Sequence, residues 1–219
     1  MPFELFDREQ EWSMRLGNLP HWFQPGVTYF VTFRTHDSCP SALAAQWQRR
    51  KAKWLRQNGI NPESADWNIA LMRLAPQAQH EFHRMFTAEF DGYLDRGHGA
   101  CVLRQPALAA VVAESLHRFN DVRYRLGDYI VMPNHVHLLC CLLDGTAIEA
   151  QCKSWKRFTA REINARLGAS GRFWQEESFD HLVRSPEQFD HFRAYIADNP
   201  SRANLKEGEF LHYRCPPRA

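Results

Sequence analysis

The chain has 219 residues, of which 44% are hydrophobic, 24% charged and 13% aromatic, and it carries a formal net charge of +2. This length supports a sizeable core in one domain, the composition excludes intrinsic disorder, and no run approaches the roughly 18 apolar residues of a membrane span. The weak charge excludes a protein that coats nucleic acid indiscriminately, and six cysteines without a CxxC pair argue for reduced thiols.

The N-terminal MPFELFDREQEW has no apolar run behind a basic segment, so neither a secretory signal nor a transit peptide is expected and a cytoplasmic location is. Val27 to Arg34, VTYFVTFR, is β-branched and aromatic and predicts a first strand. Ser41 to Arg56 predicts a helix that includes the acid-free basic run Arg49, Arg50, Lys51, Lys53 and Arg56. Pro76 to about Leu94 predicts a second helix, and Pro106 to about Asn120 a third.

Arg123 to Met132 and His135 to Leu143 flank the turn dipeptide Pro133-Asn134 and predict an antiparallel hairpin. Thr146 to Leu167 predicts a long amphipathic helix closed by Gly168, and Phe173 to Val183 contains a fourth strand. A last helix from Pro186 is expected to stop at Asp198, because a proline disfavours helical geometry in the residue before it, here Asn199. The predicted fold class is therefore α+β. It is a ferredoxin-like split βαβ antiparallel sheet within one domain over residues 1–219, with a helical insertion at about 41–98 and an additional C-terminal helix.

His135 and His137 stand two apart on a strand, so their side chains share one face about 7 Å apart while Val136 faces the core. That pair suits one metal ion. Tyr195 and Asn199, at i and i+4 on the last helix, put a phenol and an amide on one side. A phenol is a poor nucleophile at pH 7 but attacks a phosphodiester whose charge a cation withdraws, and His135, His137 and the Asn199 carbonyl supply three ligands for that cation. Tyr29, Tyr93, Tyr124, Tyr129 and Tyr213 compete with Tyr195 for the role.

GVTYFVTFRTHDSCP, YIVMPNHVHLL, SWKRFTAREIN, FWQEESFDHLVR and YIADNPSRANL together span nearly the whole chain. In these stretches the sequence resembles the REP-associated tyrosine transposases, the single-tyrosine branch of the HUH (His-hydrophobic-His) DNA-nicking superfamily. The resemblance implies Mg²⁺ or Mn²⁺ held by His135 and His137, with Asn199 in the place of the third ligand and Tyr195 as the nucleophile. It also implies a nucleoid-associated transposase that cleaves and rejoins single-stranded or hairpin DNA, of the repetitive extragenic palindromic kind, through a 5′-phosphotyrosine. His181 and Ser201 to Asn204 depart from the family's usual Arg and VRAG.

Lys153, Lys156, Arg157 and Arg161, on the helix after the histidine strand, are the candidate phosphate contacts, with Trp155 or Phe158 as a stacking platform. The chain could act as a monomer or a homodimer. Two other readings stand beside the transposase: a domesticated hairpin-binding protein without turnover, and a metal-dependent hydrolase using Glu176 or Glu177 as general base.

Overall fold

A computed structural model describes residues 3–16, 20–64, 66–89, 92–93, 96–143 and 147–216. The central strands are β3 (Thr28–Arg34), β4 (Tyr124–Val131), β5 (His135–Leu142) and β6 (Phe179–Leu182), preceded by a hairpin of β1 (Ser13–Leu16) and β2 (Pro20–Phe23). The sheet runs in the order β6, β3, β5, β4, with a fifth strand, β7 (Leu211–Tyr213), added at the β4 edge, and every neighbour is antiparallel. β5 lies between β3 and β4, and β3 lies between β5 and β6, so both halves are split βαβ units as expected. The sequence reading did not include β7 or the β1–β2 hairpin.

The helices are α1 (Ser41–Gln57), α2 (Trp67–Met72), α3 (Pro76–His83), α4 (Pro106–His117), α5 (Ile148–Leu167) and α6 (Pro186–Arg202). α3 runs on into a π-helical turn, Arg84–Ala88, so the expected second helix is interrupted, and its expected end at Leu94 lies outside the described residues. Thr146, the expected start of α5, lies outside them too.

The alternation of β3 decides which face each helix covers. Tyr29, Val31 and Phe33 point to one face, where they pack with Val136, Leu138 and Cys140 of β5 beneath α4 and α5. Phe30 points to the other face and joins Ile130, Leu139, Phe189 and Ile196 under α6. β4 keeps its apolar set on the first face only because a bulge shifts its register between Leu126 and Tyr129, where one extra residue inverts the parity of all that follow. Gly127 sits in that bulge, where a Cβ would meet the Leu139 backbone oxygen at 3.0 Å.

α6 corrects one expectation. It continues through Pro200 to Arg202, one turn beyond Asp198. The carbonyls around the proline are satisfied beyond it, since Ala203 N donates to Asn199 O at 3.1 Å and Leu205 N to Pro200 O at 2.9 Å. Pro200 itself gives up only the bond its missing N–H would make to the Ile196 carbonyl, while the carbonyls of the last turn find partners in the residues that follow.

Helices α1 to α3 form the predicted insertion and have a small core of their own, in which Trp54, Leu55, Ile60, Trp67, Leu71 and Phe82 are buried together.

Candidate catalytic and metal-binding site

His135 and His137 are 2% and 3% exposed and lie on the α6 face of β5, with ring centroids 4.6 Å apart. Tyr195 meets the His137 ring edge to face at 5.1 Å, and Phe30 stacks on the same imidazole at 5.5 Å. Asn199, fully buried, lies beside His135. The structure thus brings together all four residues of the predicted catalytic and metal set, from two elements more than fifty residues apart in sequence.

Each imidazole is oriented by its other nitrogen. Asn134 Nδ2 donates to the His98 carbonyl at 2.8 Å, which turns Asn134 Oδ1 toward His135 Nδ1 at 2.7 Å. An amide oxygen only accepts, so Nδ1 of His135 carries the proton and Nε2 keeps its lone pair. His137 Nδ1 lies 2.7 Å from the Thr32 hydroxyl, and when Nδ1 donates there its Nε2 is likewise a lone-pair donor. The His137 Nε2 is buried and meets no hydrogen-bond partner among the described residues, and neither amide atom of Asn199 completes a well-aligned bond there.

Burial, and secondarily the positive charge of Arg34, push the His135 pKa down to about 3; burial, then His135 and Arg34, hold His137 well below the usual imidazole value. Both rings are therefore neutral at pH 7, the state that binds metal. Arg34 is itself 8% exposed and pairs in register with His135 across β3 and β5. No group of three His, Cys, Asp or Glu side chains suited to a metal occurs among the described residues. The donor set is two imidazoles and an amide, all uncharged, a set that could hold a divalent cation.

The competing tyrosines lie elsewhere. Tyr29, Tyr124 and Tyr129 are buried in the core on the opposite face of the sheet; burial raises all three, Tyr124 to about 12. Tyr213 stacks on Tyr129, and Tyr93 belongs to the insertion.

The predicted phosphate contacts are not brought to this site. α5 packs on the face of the sheet opposite the histidines. Lys153, Arg157 and Arg161 are exposed on it, with Arg161 bonded to Glu162 at 3.0 Å. Lys156 is turned inward: 8% exposed, its ammonium donates to the carbonyls of Gln175 at 3.2 Å and Glu176 at 2.6 Å, so it fastens the loop before β6 to the helix. Trp155 is a core residue, 1% exposed, whose indole N–H donates to Tyr124 Oη at 2.9 Å, and it is no stacking platform. His181 stands on β6 with Gln188 Nε2 at 3.0 Å from its Nε2.

Asn134, Thr32 and Arg34 went unremarked in the sequence. The signal was in VTYFVTFR, whose polar Thr28, Thr32 and Arg34 all fall on the parity opposite the apolar Tyr29, Val31 and Phe33.

No family model matches the chain, and no curated protein matches it. Among solved structures, a REP-associated tyrosine transposase bound to a REP hairpin matches over 85% of this chain and 74% of its own, at 14% identity and a TM-score of 0.43. A protein described as a transposase from Deinococcus radiodurans R1 matches over 81% of this chain and 93% of its own, at 14% identity and a TM-score of 0.28.

Proposed function

We propose that the protein is a single-tyrosine DNA transposase that cuts and rejoins single-stranded DNA, with hairpin-forming palindromes as substrate. The observation that carries the reading is the convergence of the half-buried Tyr195 with the buried His137, His135 and Asn199, the residues that the HUH resemblance marks, with both imidazoles neutral.

His135, His137 and Asn199 would hold a divalent ion of the Mg²⁺ or Mn²⁺ kind. Such an ion, when bound, withdraws charge from a phosphate and fixes its orientation. The chain's own residues do the rest. The Tyr195 phenol loses its proton to solvent and its Oη attacks the phosphorus; the P–O3′ bond breaks, and the departing oxygen takes up a proton to become a 3′-hydroxyl. A 5′-phosphotyrosine remains. The phosphodiester energy is kept in that bond, so a 3′-hydroxyl of another strand can reverse the step without ATP. Arg34 adds a fixed positive charge behind the histidines, and the Phe30 and Phe192 rings, stacked at 4.2 Å, wall His137 off from water.

The test is a denaturant-resistant protein–DNA adduct. Wild-type protein incubated with a hairpin oligonucleotide and Mg²⁺ or Mn²⁺ is expected to form it, mass spectrometry is expected to map it to Tyr195, and Tyr195→Phe is expected to bind the hairpin without forming it. An adduct that survives Tyr195→Phe, or metal-dependent cutting with no adduct at all, overturns the proposal. The second outcome is the one a water-activating hydrolase predicts. Of that reading's two candidate bases, Glu176 is exposed with its carboxylate 3.8 Å from Arg172.

A further inference from the structure

The basic run of α1 has no part in the site described above, and the structure shows what it borders. Leu43, Trp47 and Arg50, at i, i+4 and i+7, form one wall of an open groove of about 280 Å³, and Tyr93 and Arg96 form the other. Trp47 and Tyr93 meet edge to face at 5.3 Å. The Arg96 guanidinium lies 5.5 Å from the Tyr93 ring centre, and Glu89 grips Arg50 through two hydrogen bonds of 3.0 and 3.2 Å, holding its fork at the rim. Arg49 and Lys53 are exposed on the same helix.

An indole face with exposed cations around it suits one kind of guest: a flat π-system joined on either side to an anion. An unpaired nucleobase within a strand is such a guest, because any base offers a π-face and its phosphates meet the cations. Arg50 is already paired with Glu89, so the exposed cations beside the groove are Arg96 and, on α1, Arg49 and Lys53. An apolar peptide would fill the groove while stripping water from Arg96 without pairing it.

The groove is also tied to the histidines. Tyr93 stacks on His98 at 4.0 Å and 16°, the His98 carbonyl accepts from Asn134, and Asn134 Oδ1 accepts from His135. Three contacts thus separate the groove wall from a candidate metal ligand.

We propose that the groove between α1 and Tyr93 holds an unpaired nucleobase of the DNA strand flanking the cut, stacked against Trp47, with neighbouring phosphates on Arg96 and the exposed cations of α1. This rests on the DNA-cutting reading above, and it assigns the insertion a part in gripping single-stranded DNA.

The experiment compares two hairpins, one blunt and one with a short single-stranded extension, binding to full-length protein in the Tyr195→Phe background so that no strand is cut. The extension is expected to tighten binding about tenfold, equivalent to about 1.4 kcal/mol for one stacked base. Trp47→Ala is expected to abolish most of that gain and Trp47→Phe to keep it; Arg96→Gln is expected to lower the salt dependence of the extended hairpin alone. If Trp47→Ala does not fold, the Phe and Gln variants decide. A gain from the extension that is unchanged in Trp47→Ala and Arg96→Gln overturns the proposal. Failure of the DNA-cutting reading appears in a different measurement, the missing adduct of the wild-type protein, and leaves the hairpin comparison readable.

Discussion

A buried imidazole titrates according to its surroundings, and His135 and His137 have water removed and a guanidinium added. Their native pKa values are depressed, to about 3 for His135, whereas in the unfolded chain they sit near 6.5. Between those values the unfolded state binds more protons than the native one, so stability is complete above pH 6.5 and is lost as pH falls from there toward 3. For His135 the loss at pH 5 is about 2 kcal/mol. Urea unfolding of EDTA-treated protein at pH 7 and pH 5 is expected to show a falling midpoint, with a smaller fall in His135→Gln. Equal falls in both proteins would assign the effect to other groups. The same two rings show how residue identity is not enough: His135 presents the Nε2 lone pair that a metal would need because Asn134, itself held by His98, keeps the proton on Nδ1.

At the scale of elements, α5 separates two roles that its sequence runs together. Lys153, Lys156 and Arg157 share i, i+3, i+4 spacing, yet only Lys153 and Arg157 are exposed. Neutralising those two is expected to weaken binding of every DNA sequence alike and to lower the log–log salt slope by about 1.4 for a single strand, two phosphates at about 0.7 each. Lys156→Met is expected instead to leave the slope alone and to cost about 1–3 kcal/mol, because two part-buried carbonyls of the loop before β6 lose a charged donor. Salt titrations and denaturant midpoints on the two variants check this. The same helix explains the limits of reading the sequence. The order of strands and helices was legible because each carried its own period, and Tyr195 and Asn199 were legible because i and i+4 is a local relation. The inward turn of Lys156 depends on where the loop at 175–176 lands, and the β4 bulge depends on how closely Gly127 approaches Leu139; neither is local. The stop expected at Asp198 failed for a similar reason, since the donors that close the Asn199 and Pro200 carbonyls, Ala203 N and Leu205 N, come from the turn that follows.

At the scale of the molecule, the described residues form three cores rather than one: a large one under α4 and α5, a smaller one under α6, and the separate cluster of the insertion. Phe82→Ala removes a ring that lies 5.2 Å from Trp54 and 6.0 Å from Trp67, a loss of about 3–5 kcal/mol in a core. Hydrogen exchange is expected to quicken in α1 and α3 while β3, β4 and β5 keep their protection; uniform acceleration across the sheet would show that the three cores unfold as one. The His98 carbonyl carries the matter further. It closes the insertion in sequence and holds Asn134 in space. An engineer who trimmed residues 41–98 to obtain a minimal domain would remove the acceptor that keeps the Asn134 amide from flipping, and would inherit a His135 whose tautomer is no longer set. The segment is therefore no detachable cassette: a shortened protein has to be given a replacement carbonyl at that place before its first histidine can be trusted to face the right way.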